Sequence, residues 1–296
     1  MDRAATAVAC VRALAAQTRP PEWVVVADNV SADGTVAALE GLTELPFPLI
    51  VHRMSENLGN AGGVAAAMEL AFALGAAAVW ILDDDSWPRA GAVEALMAGE
   101  WNPRVVRHAL QVDPRTGRFT WPLQVVAGKG NGWRLAWDEA EMPAGERIQT
   151  KGMWTGVLVP REVREEVGPV NGALFIRGED EEYPWRIAVA GFSFEAVRGA
   201  VLDHPGPAAL VHWRVAGKQL FFERGLVDWK LYYKVRNMVW LKRQQAGGFA
   251  AVKMALAYAV VAVACDGWRR LPLLWRAIND GWRGRLGRVK AEKLKS

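Results

Sequence analysis

The chain has 296 residues, 51% of them hydrophobic and 23% charged, a composition that supports a sizeable buried core and excludes a disordered chain. Its two cysteines, Cys10 and Cys265, show no CxxC spacing, which excludes a disulfide framework and a structural zinc site and suits a reducing compartment. The net charge of +4 is uneven: from Asp266 to Ser296 nine Lys or Arg stand against three Asp or Glu, a balance of +6, so residues 1–265 carry −2.

Residues 4–17 read as an amphipathic helix interrupted by Arg12, without the plan of a secretory leader, so a cytosolic start is expected. A short apolar strand, residues 23–27, ends at Asp28, and a second apolar run covers residues 49–53. The loop from Ser55 to Gly63 opens an Ala-rich helix that closes near Gly75, and residues 78–82 form a third strand. Strand and helix alternate, which predicts a mostly parallel sheet covered by helices, with ligands at the carboxyl ends of the strands.

That third strand breaks into Asp83-Asp84-Asp85. Three adjacent anions repel one another, and burial sharpens the repulsion, so a cation or a set of donors is expected beside them. A hard divalent ion with a phosphate ligand meets that need; a solvated acidic turn is the bland alternative.

Residues 105–160, with the turns RTGR and GKGNGW, read as mixed or antiparallel strands, where His108 is a packed or edge residue, as is His52 before it. A helix is expected over residues 180–190, with Asp180 as N-cap and Pro184 in its first turn. Residues 227–245 are an amphipathic helix, and the run from Ala246 to Cys265 is charge-free except for Lys253. It is long enough to span a bilayer, but Gly247, Gly248 and Lys253 also fit a helix packed on the protein or lying in a membrane interface. Trp268, Trp275 and Trp282 recur every seven residues among arginines, the pattern of an interfacial helix or of a helix docked on the protein. No nucleic-acid motif accompanies this basic tail, so a membrane surface is its expected partner rather than nucleic acid.

Four segments in order, VVVADNVSADGT, ENLGNAGGVAAAM, ILDDDSWP and FIRGEDEEYPWR, resemble the family 2 glycosyltransferases of the GT-A fold, in their galactofuranosyl- and rhamnosyltransferase-like branch. YYKVRNMVWL and DGWRGRLG resemble that branch's C-terminal region. The resemblance implies an α/β, Rossmann-like GT-A domain over residues 1–225 with a C-terminal helical extension over residues 226–296, which the basic, Trp-rich pattern marks as membrane-associating. It implies that Asp28, Asn57, Gly63, Asp83 and Asp84 bind the donor, joined by Arg3 in the first turn. Asp85 and His204 would hold Mg²⁺ or Mn²⁺, with His212 as the fallback ligand. Asp180 would be the base, and Trp154 and Glu179 candidate acceptor contacts, although a core role for Trp154 and a helix-face role for the acids stay open. Arg236 and Asn237 support the site, meet phosphate or lie on a helix surface.

The chemistry suits these roles. Transfer from a nucleoside diphosphate needs a Lewis acid on the departing diphosphate and one carboxylate to take the acceptor's proton. The expected activity is metal-dependent inverting transfer of galactofuranose or rhamnose, from a UDP or dTDP donor to a cell-envelope glycan or lipid-linked acceptor, at the cytoplasmic face of the membrane. A nucleotidyltransferase and a non-catalytic membrane-associated scaffold are the alternatives.

Two departures stand out. The family's first central strand is absent before Arg3, which predicts an open slot in the sheet and either a start upstream of Met1, the preferred reading, or a weakened relative. Glu179 stands where an aspartate is common.

Overall fold

The computed structural model describes residues 2–127, 132–207, 210–215 and 218–290, and the chain divides into two units. The first comprises residues 1–57, 63–170 and 183–206; the second comprises 58–62, 171–182 and 207–296. Met1, the centre of the GKGNGW turn at Gly128–Asn131 and the last six residues of the basic tail lie outside the described residues.

The first unit opens with α1 (Ala4–Ala15), β1 (Val24–Asp28), α2 (Thr35–Glu40) and β2 (Leu49–Arg53). β1 and β2 pair in parallel, Val24 opposite Leu49 and Asp28 opposite Arg53. α3 (Gly59–Ala73) starts earlier than the loop composition suggests, with Gly62 and Gly63 inside its first turns. β3 (Ala78–Trp80), β4 (Trp87–Pro88) and α4 (Ala92–Met97) follow. Then come β5 (Val105–Val112), β6 (Leu123–Val126), β7 (Trp133–Ala136), β8 (Arg147–Thr150), β9 (Val157–Pro160) and α5 (Arg161–Val167). α6 (Glu179–Val189) leads into β10 (Ser193–Asp203).

An eight-stranded sheet runs β3-β9-β5-β10-β8-β6-β7, with β4 added to β10. It is mixed: β5 and β10 are parallel, whereas every other pairing in it is antiparallel. Strand and helix alternate through the first third of the chain, but from β5 to β9 strand follows strand without an intervening α-helix, which accounts for the smaller parallel share. Among the described residues β1 pairs only with β2 and β3 only with β9, so no strand lies between them. Both strands are mostly half-buried, unlike the fully covered central strands of a parallel sheet. α1 covers one side, its Val11 and Leu14 packing with Leu39 and Phe47 and against Val24, Val26, Trp80 and Leu82. Full burial of one such aliphatic side chain is worth about 1.5–3 kcal/mol.

The second unit contains the antiparallel pair β11 (Leu210–Val215) and β12 (Lys218–Glu223), then α7 (Asp228–Asp266) and α8 (Leu271–Trp282). α7 breaks at Ala246 and Gly247, where Gly247 takes φ 79°. The buried core of this unit joins Leu231, Tyr232, Val235 and Val239 of α7 to Leu273 and Leu274 of α8. The helices approach closely at Gly281, where a Cβ would stand 2.3 Å from the Arg236 carbonyl oxygen.

Candidate active site

In the first unit, three chain segments converge on the acidic triplet. Asp83, Asp84 and Asp85 follow β3, and Arg3 immediately precedes α1. The Arg3 guanidinium spans two of the acids, Nη1 lying 3.0 Å from Asp84 Oδ1 and Nη2 2.7 Å from Asp85 Oδ2. The positive partner expected beside the triplet is thus an arginine supplied by the first turn.

That turn is anchored to the loop after β1. The Asp2 backbone N–H donates to Ser31 Oγ at 3.1 Å, the Ala32 N–H to Asp2 Oδ1 at 2.7 Å, and the Ala4 N–H to Asp33 Oδ2 at 3.1 Å. Asp28 is buried, and its carboxylate accepts from the Ser31 N–H at 3.1 Å, with Arg53 Nε 4.0 Å away. Asp28 therefore shapes the loop that grips Arg3.

His204 arrives from the other side. β4 and β10 pair antiparallel, Asp203 opposite Trp87, which places the next residue, His204, alongside Ser86. Its Nδ1 lies 2.9 Å from Ser86 Oγ and 3.7 Å from Asp85 Oδ1. Its backbone is held as well, the N–H donating to the Val112 carbonyl at 2.9 Å and the carbonyl accepting from Thr120 Oγ1 at 2.6 Å. Arg89 locks the same strand pair, with Nη2 2.8 Å from Asp203 Oδ1.

Electrostatics follow from this packing. Burial pushes the Asp83 carboxyl above the ordinary carboxylate range, against the hydrogen bond it accepts from Thr155 Oγ1. Burial also raises Asp84, with Arg3 pulling the other way. Burial together with the charges of the three aspartates pushes the Cys10 thiol up to about 12, so it is no nucleophile at neutral pH.

Two further members of the expected donor set, Asn57 and Gly63, belong to the first unit. Asn57 is half-buried just before α3. A Cβ at Gly63 would stand 2.7 Å from Asn29 Nδ2, so the absence of a side chain lets α3 approach the loop after β1. Trp154 is a core residue, 6% exposed, with its ring edge-on to Tyr183 at 6.1 Å. His108 is buried in β5 and His52 is exposed on β2.

In the second unit, α6 begins at Glu179 rather than after an Asp180 N-cap, so Pro184 falls inside the helix. Pro184 brings no N–H for the Asp180 carbonyl. The Asp180 carboxylate accepts from the Gly178 N–H at 2.9 Å. Glu179 is 3% exposed and accepts from Asn60 Nδ2 at 3.0 Å, and Lys242 Nζ lies 3.3 Å from Glu181 Oε2. Glu223 pairs with Arg177 and, at 3.0 Å, with Lys234; burial would raise it, but these two cations hold it below its ordinary value. His212, the fallback ligand, is exposed and stacked on Phe221 at 4.7 Å.

Arg236 and Asn237 are fully buried supports, not helix surface. Arg236 Nη2 donates to the Leu174 carbonyl at 3.0 Å, and Asn237 Nδ2 donates to the carbonyls of Leu174 at 2.9 Å, Ile176 at 3.1 Å and Arg177. They clamp a turn in which Phe175 and Arg177 hold φ 67° and 69°, a left-handed conformation costly for side chains of that size.

Sequence reasoning passes over Thr155, Ser86, Ser31 and Asp33. Each acts through a pairing that only the fold creates, and a lone Ser or Thr carries no spacing signal. Asp33 alone had one, five residues beyond Asp28 within the quoted VVVADNVSADGT segment.

Among the described residues, no group of three or more His, Cys, Asp or Glu side chains is arranged to hold a metal ion. Asp85 Oδ1 lies 3.7 Å from His204 Nδ1, which is taken up by Ser86 Oγ, so Nε2 is the ring nitrogen left for a metal. Two protein ligands suit Mg²⁺ or Mn²⁺ when diphosphate oxygens and water complete the shell.

Residues 2–108 match the family described as Glycosyl transferase family 2. Galactofuranosyltransferase GlfT1 of Mycobacterium tuberculosis is 30% identical over 202 residues, covering 65% of this chain and 63% of its own. Its counterpart in Mycolicibacterium smegmatis is 29% identical over 206 residues, covering 65% and 64%.

The chain is similar to glycosyl transferase family 2 over residues 2–108.

It spans just under two thirds of the length of these curated relatives. Likeness to family 2, and to these galactofuranosyltransferases, agrees with the order of the four motifs. Among solved structures, S. aureus TarS residues 1–349 superposes with TM-score 0.55 at 12% identity, over 95% of this chain and 78% of that one. GalNAc-T7 with UDP, GalNAc and Mn²⁺ superposes with TM-score 0.50 at 14% identity, over 88% and 52%. At such identities the likeness is one of fold, and that fold is GT-A.

Proposed function

We propose that this protein is a family 2, metal-dependent inverting glycosyltransferase, moving galactofuranose, or failing that rhamnose, from a UDP or dTDP donor to a cell-envelope glycan or lipid-linked acceptor at the cytoplasmic face of the membrane. The observation that carries this reading is the convergence of Asp85 and His204, 3.7 Å apart, beside Arg3 and Asp84 at the carboxyl ends of the strands. The GlfT1 relatives, named as galactofuranosyltransferases, favour that sugar over rhamnose. A fold neighbour containing UDP and Mn²⁺ is in keeping with a metal-bound diphosphate.

In this reading Asp85 and His204 hold the metal, and Arg3, Asp28, Asn57, Gly63, Asp83 and Asp84 bind or shape the donor side. A bound Mg²⁺ or Mn²⁺ supplies Lewis-acid stabilisation of the departing diphosphate. The acceptor oxygen bonds to the anomeric carbon as the bond from that carbon to the diphosphate breaks. The acceptor's proton passes to a carboxylate, which the motif order assigns to Asp180. Ser86 orients the His204 ring, and Thr155 keeps Asp83 fixed.

The test is donor hydrolysis and transfer in the presence of Mn²⁺ by the wild type and by Asp85→Ala, across a panel of nucleotide sugars, with thermal shift reporting donor binding. A donor that stabilises the wild type and is turned over only with Asp85 intact supports the proposal. Equal inertness of both toward every donor favours the non-catalytic scaffold. Release of pyrophosphate, rather than of a nucleoside diphosphate, would favour the nucleotidyltransferase.

A further inference from the structure

Past its break at Gly247, α7 continues to Asp266, turns at Gly267, and α8 returns beside it, so that the Trp282 ring lies against Gly248. The inner face of this antiparallel hairpin is a protein core, in which Ala251, Ala255 and Ala262 pack with Leu273, Leu274 and Ala277. The outer face is apolar too. On α7, Phe249, Val252, Leu256 and Val260 recur at helical spacing and are exposed. Along the return, Trp268, Leu271, Trp275 and Trp282 form a matching stripe, with Trp268 and Trp275 each 71% exposed.

Charge is sorted across the hairpin. Residues 248–290 hold eight Lys or Arg and two acids, Asp266 and Asp280. Both acids turn inward, Asp266 to Arg270 at 2.9 Å and Asp280 to the Tyr232 hydroxyl at 2.7 Å. Lys253, Arg269 and Arg283 are exposed and form no ion pair among the described residues. The outward surface therefore combines tryptophan, aliphatic side chains and unneutralised cations.

We propose that this face docks on the surface of a bilayer containing anionic phospholipid, with the hairpin lying in the interface. Tryptophan places its apolar ring at the acyl boundary and its N–H among the headgroups, and flanking basic residues are drawn to lipid phosphates. A second copy of the chain fits less well, because a two-fold contact would bring the same cations face to face. Spanning fits less well too: the α7 segment, roughly 28 Å long at 1.5 Å per residue, could cross, but α8, at roughly 18 Å, is too short to return. The proposal rests on the transferase reading only for where the acceptor is found. Vesicle binding needs no turnover, so it and donor binding by thermal shift fail independently.

The test is co-sedimentation of the full chain with vesicles of phosphatidylcholine alone and of phosphatidylcholine with phosphatidylglycerol, for the wild type, a Trp268→Ala/Trp275→Ala variant and an Arg269→Glu/Arg283→Glu variant. All four positions are exposed, so melting temperatures should match and certify folding. The wild type should bind the anionic vesicles, bind neutral ones weakly, and dissociate as salt rises. Each double variant should bind anionic vesicles roughly tenfold more weakly or worse. Failure to bind anionic vesicles, or variants that bind like the wild type, would overturn the proposal. So would a dimer that the tryptophan variant splits, which would assign the face to a second copy, or binding that resists alkaline carbonate, which would make α7 a span.

Discussion

Arg3 and Asp85 are joined by a 2.7 Å ion pair, and Asp84 shares the same guanidinium at 3.0 Å. The arginine compensates the triplet where a divalent ion is proposed to act. With the Arg3 side chain 43% exposed, solvent limits the pair to about 1 kcal/mol at most. Arg3→Ala should therefore lower the melting temperature only slightly without metal. Added Mn²⁺ should raise it more in the variant than in the wild type, because the ion then relieves repulsion that nothing else offsets. Thermal melts with and without Mn²⁺ read the difference, and an equal gain in both proteins would remove the link between Arg3 and the metal.

His204 should depend on Ser86 for its orientation, since Oγ is 2.9 Å from Nδ1 and the carboxylate of Asp85 is 3.7 Å from the same atom. With Ser86 on Nδ1, a metal would take Nε2, and outer contacts on the other ring nitrogen typically change metal affinity by about 10- to 100-fold. Ser86→Ala should weaken Mn²⁺ activation within that range while leaving the maximal rate at saturating Mn²⁺ close to wild type. His204→Ala should lose activation more severely. Titrating activity against Mn²⁺ separates these outcomes; if Ser86→Ala shows the wild-type midpoint, the hydroxyl is a bystander.

Much of this neighbourhood was legible from the chain. Apolar runs ending at Asp28 and before the triplet announced two strand ends, a local property, whereas Asp85 and His204 were nominated by the resemblance that the order of the motifs carries. What joins them is not local. The β4–β10 register sets Ser86 beside His204, and Thr155 reaches Asp83 from a loop far along the chain. Pairing of that kind leaves no periodicity in the sequence. Arg3 was expected among the donor-binding residues, and nothing in its spacing announced that it would bridge Asp84 and Asp85. Asn237 was ambiguous for another reason: helical periodicity fixes a face, but only the fold shows that this face meets three carbonyls.

Asn237 should be a positioning residue for the acidic motif. Its amide holds the turn containing Phe175 and Arg177 at positive φ, one residue short of Gly178, whose N–H donates to Asp180. Asn237→Ala strands buried carbonyls at about 1–3 kcal/mol for each group left unsatisfied. Stability should fall by that order. Transfer should show a lower kcat at nearly unchanged donor KM, because the donor side lies elsewhere in the sequence motifs. Asp180→Asn should show the same split more strongly, with a loss of about 10²- to 10⁴-fold expected for a missing general base. If Asn237→Ala loses stability but keeps kcat, the clamp is structural only.

Gly281 should tolerate no side chain. A Cβ there would stand 2.3 Å from the Arg236 carbonyl oxygen and 3.1 Å from its carbon, backbone atoms that cannot rotate away. Gly281→Ala should force α8 off α7 at a cost of about 1–3 kcal/mol or more, visible in urea unfolding. The neighbouring Trp282→Ala should cost less, because that ring is partly exposed. The opposite ranking would mean the helices are not held at this contact.

His108 predicts a pH dependence whose sign is fixed by burial. The ring is fully buried in β5, with Nε2 2.8 Å from Thr150 Oγ1, and burial brings its pKa down to about 4. An unfolded histidine titrates near pH 6.5, so above that value neither state is protonated and the stability contributed by keeping the ring neutral is complete. Below it the unfolded chain takes up a proton that the folded chain refuses until about pH 4. Stability should therefore fall as pH drops through this window, by about 2 kcal/mol between pH 7 and pH 5 from this residue alone. Asp83 and Asp84, whose carboxyls burial raises, act in the opposite direction, so the clean measurement is a comparison. His108→Gln, unfolded in urea at both pH values, should lose less stability on acidification than the wild type by about that amount. Parallel losses in the two proteins would show that His108 does not control the slope.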